Sequence, residues 1–146
     1  MRSIHSTTRV DASPEVVWEV LTDLPQYGEW NLFITALHGD LRVGGRLRAT
    51  FTLPGRKPRT FTPVVTVLEP GRQLTWLGRV AIPKLFDGEH TLAVEPDGAG
   101  TTFVHTERFH GLLPPVMRGL LADTHDAFRA MDSTLARRAE SIAAQR

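Results

Sequence analysis

The sequence contains no cysteine. That absence removes disulfides, thiolate nucleophiles and cysteine-ligated zinc together. No stretch approaches the ~20 consecutive apolar residues that cross a bilayer. The amino-terminal MRSIHSTTRVD has no apolar core of signal-peptide length. Charge of one sign is missing as well. The 17 Lys and Arg stand against 16 Asp and Glu, for a net charge of +1, and the arginines are interleaved with acids. Such a balance exerts no strong pull on nucleic acid or anionic membrane. What remains is ordinary for a globular chain: 146 residues, 41% hydrophobic and 23% charged. The expectation is a soluble, cytoplasmic protein forming one domain over residues 1–146, with no nucleic-acid partner and no membrane span.

Weak alternation over residues 2–10 predicts a first strand. DASPEVVWEVLTDL then predicts a helix. Ser13 suits the N-cap, Pro14 the first helical position, and Glu15 the positive end of the helix dipole. Val16, Val17, Val20, Leu21 and Leu24 form its apolar stripe. Pro25 ends it, and PQYGEWN predicts a turn or second short helix.

From Phe33 to His110 the period changes to two. Turn signals at Gly44-Gly45, Pro54-Gly55, Pro70-Gly71, Pro83 with Asp87-Gly88, and Asp97–Gly100 divide this stretch. Six strands are predicted, roughly 33–43, 45–53, 59–69, 73–82, 86–95 and 101–110, each with one apolar face. Short turns imply an antiparallel arrangement that is dry on one side and wet on the other. After Pro114-Pro115, apolar residues at spacings of three and four from Met117 to Ile142 predict a long helix, for which the sheet's dry face is the partner of sufficient size. Sheets twist and coil, so sheet and helix part company at one end. Inward glycines such as Gly39, Gly78 and Gly88 mark bends or a wall of small side chains. The pattern thus predicts a pocket.

Three phrases carry a family likeness: SPEVVWEVLTDLPQYGEWNLFI, FTPVVTVLEPGRQLTW and GTTFVHTERFHGLLPPVM. With the order of elements, they make the chain similar to the SRPBCC superfamily, nearest its polyketide cyclase/dehydrase-like branch. The resemblance covers nearly the whole chain. It implies the START-like, helix-grip fold shared with the birch-pollen-allergen proteins. That is an α+β fold with a curved antiparallel sheet of about seven strands wrapped around a long C-terminal helix, and short helices after the first strand. Proteins of this kind bind lipids, sterols, polyketides or quinones; some close or dehydrate rings, and others adjust chaperones. The resemblance therefore implies a pocket rather than a particular reaction.

The strand near the carboxyl end poses the sharpest question. Alternation puts Phe103, His105, Glu107 and Phe109 on one face, the face that should be dry. If the hairpin at Asp97–Gly100 keeps both apolar faces on one side, the central register pairs Val94 with Phe103, Leu92 with His105, and His90 with Glu107. Directly opposed Cβ atoms lie ~5 Å apart, so His90 and Glu107 are expected within hydrogen-bonding reach. Three readings are open. The trio is a satisfied structural patch; or it orients a ligand hydroxyl or carbonyl; or Glu107, with His90 or His105, performs general acid–base catalysis.

The remaining candidates for a pocket wall are aromatic or apolar. They are Trp30, Phe51, Phe61, Trp76, Phe103 and Phe109, with Met117 and Leu121 from the start of the long helix. Each is equally at home in an ordinary core. The expected partner is a small, largely apolar molecule. Neither a metal nor a cofactor is expected, because no tight ligand spacing of the HExxH kind occurs. A protein-interaction module with a filled interior is the alternative from another class. The oligomeric state is not legible.

Overall fold

The computed structural model describes residues 2–79, 86–111 and 118–146. The order of elements is β1 (Arg2–Val10), α1 (Pro14–Thr22), a single 3-10 turn (Leu24–Gln26), α2 (Tyr27–Trp30), β2 (Ile34–Gly39), β3 (Leu47–Phe51), β4 (Arg59–Phe61), β5 (Val64–Glu69), β6 (Gln73–Arg79), β7 (Phe86–Asp97), β8 (Gly100–Gly111) and α3 (Arg118–Ala144). Pro114-Pro115 and Met117, where the long helix was expected to begin, lie outside the described residues.

α1 starts where its sequence dictates. The Ser13 hydroxyl accepts from the Val16 amide at 3.3 Å, and Pro14 occupies the first turn. A cap of this kind stabilises a helix by about 1 kcal/mol. Val16, Val17, Val20 and Leu21 are buried. After the helix, Tyr27 is sealed in and its hydroxyl donates to the Leu21 carbonyl at 2.6 Å. Asn31 then turns the chain into β2, its Oδ1 accepting from the amides of Phe33 and Ile34 at 2.9 and 2.7 Å.

All described strand pairings are antiparallel. Five strands run in the order β1-β8-β7-β6-β5, and three more in the order β2-β3-β4. Together they form the curved antiparallel surface of a helix-grip fold. The expected strand 59–69 is two strands, because the chain changes sheet at Pro63. A proline has no amide hydrogen to give to a ladder. Its carbonyl still accepts from the Leu47 amide at 2.9 Å, and Val65 exchanges bonds with Gly44 and Gly45 at 2.8 and 2.9 Å, stitching the two sheets together. The expected strand 33–43 is also shorter and ends at Gly39, whose φ of +132° breaks the ladder. A Cβ there would lie 2.4 Å from the Arg46 carbonyl oxygen, so only glycine fits.

The β7–β8 register is the expected one: Val94 opposite Phe103, Leu92 opposite His105, His90 opposite Glu107. β1 closes the other side of β8, placing Ile4 opposite Glu107 and Ser6 opposite His105. α3, about 40 Å long at 1.5 Å per residue, lies along β1 and buries Phe128, Met131, Leu135 and Ala139 among the inward faces. Among the described residues, no helix is long and apolar enough to cross a membrane.

Candidate functional site

The first turns of α3 stand off from the sheet. A cavity of about 610 Å³ opens between them, within the range of small-molecule sites. Its cause is side-chain size. Gly78 on β6 pairs with Gly88 on β7, and Gly88 pairs with Phe109 on β8. Two adjacent strands therefore offer no side chain at the level where α3 begins. A Cβ built on Gly78 would meet only Pro63, at an ordinary 3.6 Å.

Of the candidates drawn from sequence, Phe51, Phe61, Trp76, Glu107, Phe109 and Leu121 line this cavity. Phe33, Leu53, Pro63, Leu120 and Thr124 complete its apolar wall, and Arg56, Lys57 and Arg59 stand on its β3–β4 side. Phe51 packs against Phe33 and Phe61 with ring centroids 5.0 and 5.6 Å apart. The Arg56 guanidinium reaches across to α3 and donates twice to Asp123 Oδ2, at 3.1 and 2.8 Å. Trp30 and Phe103 do not line the cavity. Trp30 is packed against Tyr27 and Phe103 is fully buried beside His105. Met117 lies outside the described residues.

His90 and His105 lie behind the cavity wall, fully enclosed. The expected hydrogen bond between His90 and Glu107 is not formed: Nδ1 and Oε2 are 3.8 Å apart, beyond bonding distance. His90 instead turns its other nitrogen to His105, with the two Nε2 atoms 2.6 Å apart. His105 Nδ1 lies 2.8 Å from Asp132 Oδ1 on α3. The Ser6 hydroxyl donates to the other Asp132 oxygen. His105 is stacked face to face on Phe128, with centroids 3.7 Å apart and planes 5° from parallel. Trp76 and Phe128 lean on the His90 ring at 4.9 and 5.3 Å.

Asp132 is the functional candidate that alternation along the strands did not find. Its signal was on the helix. Position 132 sits four residues after Phe128 and three before Leu135, within the apolar stripe, where a carboxylate needs a partner.

Burial sets the charge states. Glu107 keeps about 15% of its side chain exposed, toward the cavity. Loss of water pushes its carboxyl up to about 8. Desolvation holds His90 well below the usual imidazole range, and the neighbouring His105 adds to it. Desolvation also lowers His105, although the bond and charge of Asp132 oppose that. At neutral pH the group facing the cavity is therefore an uncharged carboxylic acid backed by uncharged imidazoles.

A family profile described as "Polyketide cyclase / dehydrase and lipid transport" matches residues 1–143. Among curated proteins the chain finds no match. Solved structures share its fold. The Zhui aromatase/cyclase of Streptomyces sp. R1128 is 19% identical, with a TM-score of 0.77 over 95% of this chain and 93% of that one. A START superfamily protein of Mycobacterium smegmatis is 20% identical, with a TM-score of 0.74 over 96% and 98%. A protein of Thermus thermophilus is likewise 20% identical, with a TM-score of 0.74 over 97% and 99%.

Proposed function

Since the chain belongs to the polyketide cyclase/dehydrase and lipid-transport family, we propose that it binds one small, largely apolar molecule between its sheet and the start of α3. The carrying observation is the cavity of about 610 Å³ whose wall is mainly aromatic and aliphatic, with a single carboxyl among its described lining residues and Arg56, Lys57 and Arg59 on one side. Five aromatic rings on that wall favour a flat or ring-bearing body, of the polyketide or isoprenoid kind. The Glu107 acid donates to a carbonyl or accepts from a hydroxyl and so fixes its orientation. A filled interaction module would have no such space.

A second reading rests on Glu107 itself. A carboxyl that titrates near 8 gives up and recovers a proton at neutral pH, as general acid–base catalysis of ring closure or dehydration requires. The likeness to an aromatase/cyclase is compatible with this but extends to the fold alone at 19% identity.

Native mass spectrometry of freshly purified protein tests the binding reading, followed by titration with an apolar fluorescent dye. A retained small molecule, or dye binding, is expected. Gly78→Phe places a ring in the cavity from a position where the added Cβ meets only Pro63, at 3.6 Å. It is expected to fold and to bind about tenfold or more weakly, a loss of at least ~1.4 kcal/mol. Equal affinity in both proteins would remove the cavity from the proposal.

A further inference from the structure

We propose that Glu107, His90, His105, Asp132 and Ser6 form a proton relay through the protein wall, which lets the cavity carboxyl exchange between acid and base without changing the buried charge. The proposal deepens the ligand-site reading above and rests on it for what Glu107 does in the cavity.

The polarity of the line follows from its far end. Asp132 accepts from the Ser6 hydroxyl on one oxygen, and as a carboxylate it takes the His105 Nδ1 hydrogen on the other. His105 is neutral and has one ring hydrogen, so its Nε2 is an acceptor. His90 Nε2, 2.6 Å away, must then be the donor. That fixes the second tautomer too and leaves His90 Nδ1 with a bare lone pair. This nitrogen is buried and makes no hydrogen bond among the described residues. An orphaned acceptor sealed in aromatic rings is costly unless a donor is within reach. The donor within reach is the Glu107 carboxylic acid at 3.8 Å. A swing of about 1 Å by a side chain that borders the cavity brings it to bonding distance.

The transfer balances. The Glu107 proton passes to His90 Nδ1. The proton on His90 Nε2 passes to His105 Nε2, and the one on His105 Nδ1 passes to Asp132 Oδ1. Both imidazoles end neutral in the other tautomer. One proton has moved from Glu107 to Asp132, and one negative charge has moved the other way. A lone ionisation of Glu107 would add a charge to the interior; the relay only relocates one. Glu107 then faces the ligand as a base. Ser6 lies at a groove between β1 and α3, so the far end of the line borders the opposite side of the wall. Beside Glu107 in the sheet stand His90 on β7 and Ile4 on β1, and the cavity it faces is lined as well by Thr124 of α3 and by Arg56, Lys57 and Arg59 on the β3–β4 side. Ser6 is a positioning residue that holds Asp132; His90, His105 and Asp132 carry the proton, and of the five Glu107 alone lines the cavity.

The test uses the ligand-free full chain, so an empty cavity and an absent relay give different results. Two-bond proton–nitrogen spectra from about pH 6 to about pH 8.5 report both imidazole tautomers. His105 protonated on Nδ1 and His90 on Nε2 are expected, both neutral. Exchange broadening of the imidazole nitrogens, from the minor pair of tautomers, is expected in the unaltered protein and is expected to be lost in Asp132→Asn, which cannot take the proton. A His90 ring protonated on Nδ1, or the same exchange in Asp132→Asn, overturns the relay. Should that variant fail to fold, the tautomers of the unaltered protein decide alone.

Discussion

The two ends of the interior share strands and differ in what those strands carry. At one end, Val94 opposes Phe103 and Leu74 opposes Leu92, all buried, with α1 and α3 closing over them. A few residues further along the same strands, Gly78 opposes Gly88, and α3 meets a hollow. Backbone geometry is antiparallel at both ends. The cavity therefore follows from side-chain size at two paired positions, and needs no missing layer or distorted ladder.

Equal truncations at the two ends should separate most widely. Phe103→Ala deletes a fully buried ring and is expected to cost about 3–5 kcal/mol, from lost transfer energy and the void left behind. Phe61→Ala deletes a partly buried ring from a wall that is already open. Its expected cost is about 1 kcal/mol or less, by the smaller area returned to water. Urea unfolding measures both. Similar costs would mean that the hollow end is packed as tightly as the closed one.

That contrast also explains what the sequence could reveal. Parity was decisive on β7 and β8. A slip of one residue would have thrown Phe103 and Leu92 into water, so the register followed from alternation and one hairpin. The same logic located Glu107 on the cavity wall. It could not separate Phe103 from Phe109, because alternation gives the face and not the depth, and depth depends on which part of α3 stands opposite. Nor could it find the break at Pro63, since the apolar alternation runs through it unaltered; only the missing amide hydrogen forces the change of sheet. The partner of His105 came from another element altogether. Strand periodicity is silent about a carboxylate on a helix 27 residues later, and Glu107 was a plausible partner by register alone.

Protonation offers a second, smaller way to sharpen the comparison. Glu107 is held near 8 when folded, well above its ordinary value near 4.5. The native state thus holds a proton that the unfolded chain releases, and this group's contribution to stability falls as pH rises from about 4.5 through 8. The two histidines act in the opposite sense and lower. Their depressed values make the unfolded state the better proton binder, so their contribution is lost as pH falls below about 6.5. Between about pH 6.5 and 8 the Glu107 slope stands alone among these three groups. Thermal melts across that window are expected to decline in the unaltered protein and to flatten in Glu107→Gln. An identical slope in both would place the carboxyl in water rather than at a dry wall.

The smallest effect is expected at the strap between Arg56 and Asp123. Both side chains are nearly half exposed, at 46% and 44%. A pair in water gains little from Coulomb attraction and loses side-chain entropy in forming. Arg56→Ala should therefore change stability by less than about 1 kcal/mol, and roughly 0.5 M salt should weaken even that. Its position gives it another readout. The pair joins the turn before β4 to the first turns of α3 across the open end, so its loss should speed the release of a bound dye more than it lowers the melting temperature. The same substitution at an exposed arginine of the closed end, Arg9, should leave release unchanged. If both variants release the dye at the same rate as the unaltered protein, the strap has no part in access, and entry must run past another side of the hollow.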